Sequence, residues 1–153
     1  MRRLLHVLAV GALALSAAGC NSATNSTTLP TSPQILVTDT LTGTVPAPVN
    51  GIAQSDIKPF TTTQSGTVSL TLTSTVETFP GGVLQSNVVI GIGIGTLSGG
   101  TCSVPSGQSG TATPSSTAVL SGTLPAGSYC LQVSDVITQL GPVQYTIQLM
   151  HPQ

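Results

Sequence analysis

Charge is what this sequence most conspicuously lacks: Asp, Glu, Lys and Arg make up 5% of its 153 residues, against the ~25% usual for soluble domains. Two of the three basic residues are Arg2 and Arg3, so Lys58 stands alone against Asp39, Asp56, Glu77 and Asp135. One lysine cannot neutralise several phosphates, which excludes nucleic acid as a partner. Lys58 also follows no glycine run, which excludes a Walker-type phosphate loop. Beyond His6 the one histidine is His151, and a Ser-His-acid triad would have to recruit it from the end of the chain. No G-x-S-x-G elbow accompanies it. The four acids are scattered and read as surface or turn residues, with neither the convergence of a hydrolase pair nor the clustering that calcium needs. The expectation is a protein that is not an enzyme, with no catalytic residue, no metal site and no cofactor.

Aromatic residues are almost as scarce, at 3% with no tryptophan, and sugar binding through stacked aromatic platforms has little to work with. Phe60 and Tyr145 fall in strand patterns and read as core, with Tyr129 partly so. Phe79, ahead of Pro80-Gly81-Gly82, is the candidate for ligand contact.

What the chain does have begins at its N-terminus. Arg2 and Arg3 form a positive segment, Leu4 to Ala14 an apolar stretch, and Ser16-Ala17-Ala18-Gly19 a small-residue zone, the pattern of an export signal over residues 1–19. The apolar stretch is shorter than the ~20 residues of a spanning helix. Ala17-Ala18-Gly19-Cys20 resembles the lipobox of bacterial lipoproteins, with alanine at the position where leucine is usual. That resemblance implies that Cys20 becomes the lipidated first residue; the alternative is an ordinary secretory signal. Acyl chains contribute ~0.8 kcal/mol per buried CH2, and two or more of them anchor a protein stably. Asn21 after the cysteine favours the outer membrane over the inner, if sorting resembles that of enteric bacteria. Residues 20–34 carry no charge, no aromatic and few apolar side chains. They read as a flexible tether with a reach of roughly 20 Å.

From Ile35 to Gln153 the sequence is rich in Thr, Val, Ile, Leu, Ser and Gly, with turn clusters every 8 to 12 residues and no helical period. This predicts one all-β domain, an antiparallel sandwich of about eight strands: 36–44, 57–62, 67–75, 87–96, 101–104, 117–121, 128–136 and 143–150. Val68, Leu70 and Leu72 alternate with threonine and serine, as do Tyr145, Ile147 and Leu149 with polar neighbours, which places each set on a buried face. The phrases Leu41-Thr-Gly-Thr44, Leu97-Ser-Gly-Gly100 and Leu120-Ser-Gly-Thr123 read as turn punctuation. Residues 104–116 read as the most mobile loop. In Asn87 to Gly95, one face carries Val88, Ile90, Ile92 and Ile94, and the other is bare at Gly91, Gly93 and Gly95. The bare side suits either a covering loop or backbone or the floor of a ligand groove. Cys102 and Cys130, left after Cys20, read as a disulfide in an exported protein. Its loop of about 29 residues is worth roughly 3.6 kcal/mol in the chain-entropy model.

Four further phrases, Asp56-Ile-Lys-Pro-Phe60, Gly66-Thr-Val-Ser-Leu-Thr-Leu72, Leu124-Pro-Ala-Gly-Ser-Tyr129 and Tyr145-Thr-Ile-Gln-Leu149, resemble the bacterial pre-peptidase C-terminal domain over roughly residues 38–151. In the turn of the third phrase Pro125 fixes a dihedral, Gly127 is free to take positive φ, and Tyr129 enters the sheet. Asn87 to Gly95 departs from the acidic, aromatic strand common in that family, which removes the basis for carrying calcium binding across. The resemblance implies a jelly-roll-like sandwich with an accessory role. The combined expectation is a lipid-anchored, non-catalytic module of the cell envelope. It acts in structure or protein interaction, or alternatively binds envelope polysaccharide or extracellular peptide. Its partners are then the membrane, through the anchor, and envelope protein or polysaccharide.

Overall fold

Alternation of branched apolar residues with threonine and serine builds the domain almost entirely from strands. The computed structural model describes residues 33–136 and 139–153, which belong to one unit from Pro33 to Gln153. The export signal, Cys20 and residues 21–32 of the tether lie outside the described residues. The strands are β1 (Leu36–Val45), β2 (Ser55–Thr62), β3 (Gly66–Thr78), β4 (Leu84–Ser86), β5 (Ile90–Ser98), β6 (Thr101–Ser103), β7 (Ser109–Ala112), β8 (Leu120–Leu124), β9 (Gly127–Ser134) and β10 (Val143–Pro152). Among the described residues there is no helix.

The first sheet runs β1-β10-β3, and the far side of β3 is shared by β8 along Gly66 to Leu70 and β4 along Val76 to Thr78. The second runs β2-β9-β5, and the far side of β5 is shared by β7 along Ile90 to Gly93 and β6 along Thr96 to Ser98. Every pairing is antiparallel. With β4 and β6 taken as short additions, the order β1-β10-β3-β8 facing β2-β9-β5-β7 is that of a jelly roll. Inward residues of both sheets meet in one core: Val68, Leu70 and Leu72 from β3, Ile90, Ile92 and Ile94 from β5, Leu131 and Val133 from β9, and Val143, Tyr145, Ile147 and Leu149 from β10. Threonine covers the outer face of the first sheet at Thr38, Thr40, Thr42 and Thr44, all exposed.

One extra residue in β3 redirects the end of that strand. Ile147 pairs with Leu72 but Thr146 pairs with Ser74, so Thr73 is the added residue of a β-bulge. Its Oγ1 donates to the carbonyl of Thr146 at 3.0 Å. Beyond the bulge the inward phase passes from 68, 70 and 72 to Thr75 and Glu77, both buried. Unbroken alternation would have turned Val76 inward instead.

Several expectations need correction. Residues 104–116 contain strand β7, which has no large apolar residue to announce it. Leu120-Ser-Gly-Thr123 lies inside β8, and Leu41-Thr-Gly-Thr44 inside β1, where Gly43 leaves room for the Tyr145 ring. The phrase Leu97-Ser-Gly-Gly100 does turn, with φ of 57° at Gly99 and 81° at Gly100. Strand β5 starts at Ile90 and not at residue 87, because Asn87 takes φ 60° and breaks the extended run. Gly127 does not use positive φ. It opens β9 with the Tyr129 ring 3.4 Å from where its Cβ would stand, and the Tyr129 hydroxyl donates to the Pro125 carbonyl at 2.9 Å.

Candidate functional site

The few ionisable groups are placed with care. Asp39 and His151 meet at 3.0 Å, with His151 buried in β10 and its ring 5.9 Å from that of Phe60. His151, though close to the end of the sequence, is therefore a core residue of the final strand. Tyr145 reaches from the first sheet to the second and donates its hydroxyl to Asp56 Oδ2 at 2.8 Å, and Lys58 Nζ lies 3.1 Å from the same oxygen. Burial first, then the hydrogen bond to Asp56 and its charge, push the Tyr145 hydroxyl far above the usual phenol range. Charge on the edge strands β1 and β2 also discourages pairing with another chain.

Glu77 and Asp135 overturn the expectation of surface acids, since both are buried. Glu77 Oε1 accepts the backbone N–H groups of Leu140 at 2.6 Å and Gly141 at 3.0 Å, tying the β9–β10 connection to the end of β3. The partners lie more than sixty residues apart, so nothing local in the sequence could have announced the contact.

Cys102 and Cys130 form the expected disulfide, with Cα atoms 5.8 Å apart. It sits on the outer side of the second sheet and fastens the strap that follows β6 over the glycine face of β5. A Cβ on Gly95 would collide with the Ser103 carbonyl, and one on Gly93 would stand 2.9 Å from Val104 Cγ1. Backbone and loop thus cover one end of the glycine face. Beside Gly91 and Gly93 the strap leaves a groove of about 440 Å³, walled by Val104, Pro105, Ser109, Gln132 and Ser134. Among the described residues no charged or aromatic side chain lines it. A smaller depression of about 360 Å³ on the first sheet is lined mainly by Thr42, Thr44, Ser74, Gln144 and Thr146.

A third cleft, of about 410 Å³, opens at one end of the sandwich and contains Phe79. Val45, Val143 and Glu77 lie in register there, whereas Leu36 and Pro152 lie in register at the opposite end, where the chain enters from Pro33. The cleft is also lined by Glu77, Val89, Gln139 and Leu140. Gln139 is 5% exposed; its Nε2 donates to the Val89 carbonyl at 3.3 Å, and its buried Oε1 has no partner among the described residues. Around the cleft rise exposed apolar side chains: Val83, Leu84, Val89 and Leu140, and, in the β1–β2 connection at the same end, Val49 and Ile52. The last two flank a tight turn with φ of 53° at Asn50 and 74° at Gly51. At the entry end the exposed large apolar residues are Ile35, Leu36 and Leu97.

Of the residues singled out from sequence, Cys20 lies outside the described residues, Cys102 and Cys130 are joined, and Phe79 lines the end cleft. Sequence reading missed Glu77 and Gln139 as its neighbours. Comparison with protein-family models, with curated proteins and with solved structures returned no match.

Proposed function

We propose that this chain is a lipid-anchored, non-catalytic β-sandwich of the cell envelope whose role is interaction with another envelope protein. The carrying observation is the separation of its two ends. The chain enters beside Ile35 and Leu36, while Val49, Ile52, Val83, Leu84, Val89 and Leu140 expose apolar surface at the other end. Strand β1, with ten residues, spans roughly 33 Å between them. A tether running from lipidated Cys20 to Pro33 would hold the entry end toward the bilayer and present the far end to a partner. Exposed apolar residues gathered in one region mark contact surfaces more often than scattered ones do.

Supporting features point the same way. The disulfide suits an oxidising compartment, and the jelly roll is the architecture that the resemblance to pre-peptidase C-terminal domains implies. Asp39, Asp56, Glu77 and His151 are engaged in the contacts described above, which leaves them poorly placed for acid-base turnover. A photo-crosslinking residue at Val83 or Leu140 of the full chain, in the native envelope, should give discrete protein adducts, and one at Leu97 should not. Equal labelling from both ends, or none from Val83 and Leu140, would remove the interaction reading. A second reading, ligand binding, is favoured by Phe79 lining the end cleft.

A further inference from the structure

The end cleft has a chemical bias that its apolar rim hides. Glu77 lines it, is 4% exposed and carries a carboxylate. Among the described residues no cation pairs with that carboxylate: Lys58 is engaged by Asp56 and His151 by Asp39. Its Oε1 takes two backbone N–H groups, and Oε2 accepts no hydrogen bond from the described residues. A buried charge without a counter-ion is costly, and a partner that supplies one recovers part of that cost.

Gln139 gives an independent sign of the same polarity. Its Nε2 is used on the Val89 carbonyl, and its buried Oε1 is left as an acceptor that finds no donor among the described residues. The cleft therefore offers buried acceptors at Glu77 and Gln139, with the exposed amides of Gln85 and Asn87 also in its lining, between the apolar side chains of Phe79, Val89 and Leu140. A ligand that fits must bring N–H donors, positive charge and an apolar stem together. A divalent cation fits less well. Calcium takes six to eight oxygens, usually with several carboxylates, and no group of three or more His, Cys, Asp or Glu gathers among the described residues.

We propose that the end cleft receives a protonated primary amine on an alkyl stem, the lysine side chain of a partner protein, with Glu77 as counter-ion and Gln139 Oε1 as hydrogen-bond acceptor. The alkyl stem would pack along Phe79 and Leu140 while the ammonium reaches the two oxygens, the division of labour usual for a snorkelling lysine. An arginine would present a wider, planar fork that demands bidentate partners; here one oxygen of Glu77 is already committed to the loop. The volume of about 410 Å³ falls in the range of small-ligand sites.

The proposal rests on the interaction reading but is measured separately from it. Nα-acetyl-lysine N-methylamide is titrated into the full chain and followed by amide chemical shifts, alongside the norleucine and arginine analogues and calcium chloride. The expected result is saturable binding of the lysine compound, with perturbations at Phe79, Gln139 and Leu140, and at least tenfold weaker binding of norleucine. Glu77→Gln, which can still accept from the loop, should weaken lysine binding about tenfold or more. Gln139→Met should weaken it severalfold in a chain that keeps Glu77, which guards against a folding defect in the first variant. Equal affinity for norleucine, no saturation with lysine, or a response to calcium alone would each overturn the proposal. Lysine binding without far-end cross-links would uphold this site and remove the interaction reading; cross-links without lysine binding would do the reverse.

Discussion

Replacing Gly95 by alanine should be among the most damaging methyl additions this domain can receive. Gly95 sits in β5 opposite Cys130, and the added Cβ would enter the space of the Ser103 carbonyl oxygen, with the Val104 nitrogen only 3.0 Å away. The obstacle is backbone, and it cannot rotate aside as a side chain would. The strap carrying it is fixed at both ends, by the Cys102–Cys130 bond and by the Ile94 N–H donating to the Gln108 carbonyl at 2.9 Å. Overpacking of this kind costs typically 1 to 3 kcal/mol. With a urea m-value of ~2 kcal/mol/M, a loss of ~2 kcal/mol moves the midpoint down by ~1 M. Gly122→Ala is the matched control, since that glycine also lies in a strand but has nothing within 4 Å of its Cβ position. It should be neutral or slightly stabilising through reduced freedom of the unfolded chain. The disulfide sharpens the test. In a Cys102→Ser/Cys130→Ser background the strap can lift, so the penalty of Gly95→Ala should shrink by more than ~0.5 kcal/mol, the coupling expected of neighbours. Urea unfolding of the four chains, read by circular dichroism, completes the cycle. If Gly95→Ala lay within ~0.5 kcal/mol of Gly122→Ala in the oxidised protein, the covered glycine face would be wrong.

Two other outcomes follow from contacts already described. Because burial and Asp56 raise the folded-state pKa of Tyr145 above the usual phenol value of about 10, its neutral form stabilises the fold fully below about pH 10, and that stabilisation is lost as pH rises beyond it. Tyr145→Phe should therefore cost about 1 kcal/mol at pH 7 through the lost hydrogen bond to Asp56, yet flatten the decline of stability above pH 10 in alkaline unfolding scans; an unchanged alkaline decline would refute the assignment. Deleting Thr73 removes the bulge and joins Leu72, Thr75 and Glu77 in one regular alternation, so Glu77 stays inward and keeps its hold on Leu140 and Gly141. Hydrogen exchange at those two amides should stay within about threefold of the parent, and acceleration by about tenfold or more would show that the register on either side of Thr73 is misassigned.

Much of this fold was legible because its buried strands repeat one simple pattern. Val68-x-Leu70-x-Leu72 and Tyr145-x-Ile147-x-Leu149 alternate without a break, and both sets are buried. The disulfide could be read from counting cysteines in a chain expected to carry an export signal. Strand β7, Ser-Gly-Thr-Ala, was invisible because its pairing with Ile90 to Gly93 depends on a partner and not on its own side chains. The bulge at Thr73 was hidden in a run of hydroxyl residues where either phase looks equally plausible. Glu77 looked like a surface group, and His151 like no more than the end of the chain, because their partners, Leu140 and Asp39, are 63 and 112 residues away. Phe79 was singled out for its exposed turn, but the acceptors beside it come from the β9–β10 connection, which only the closed sandwich brings near.

The central claim is that a signal segment is removed at Cys20, which then carries lipid for an oxidised, exported sandwich. Intact mass of the full chain extracted from the membranes of an expressing bacterium tests it most directly. The account predicts a chain beginning at Cys20, heavier by a diacylglyceryl group with or without a further acyl chain, that gains two hydrogens only on reduction of Cys102 and Cys130. A chain with an unmodified Cys20 thiol, or one that begins elsewhere, would contradict it.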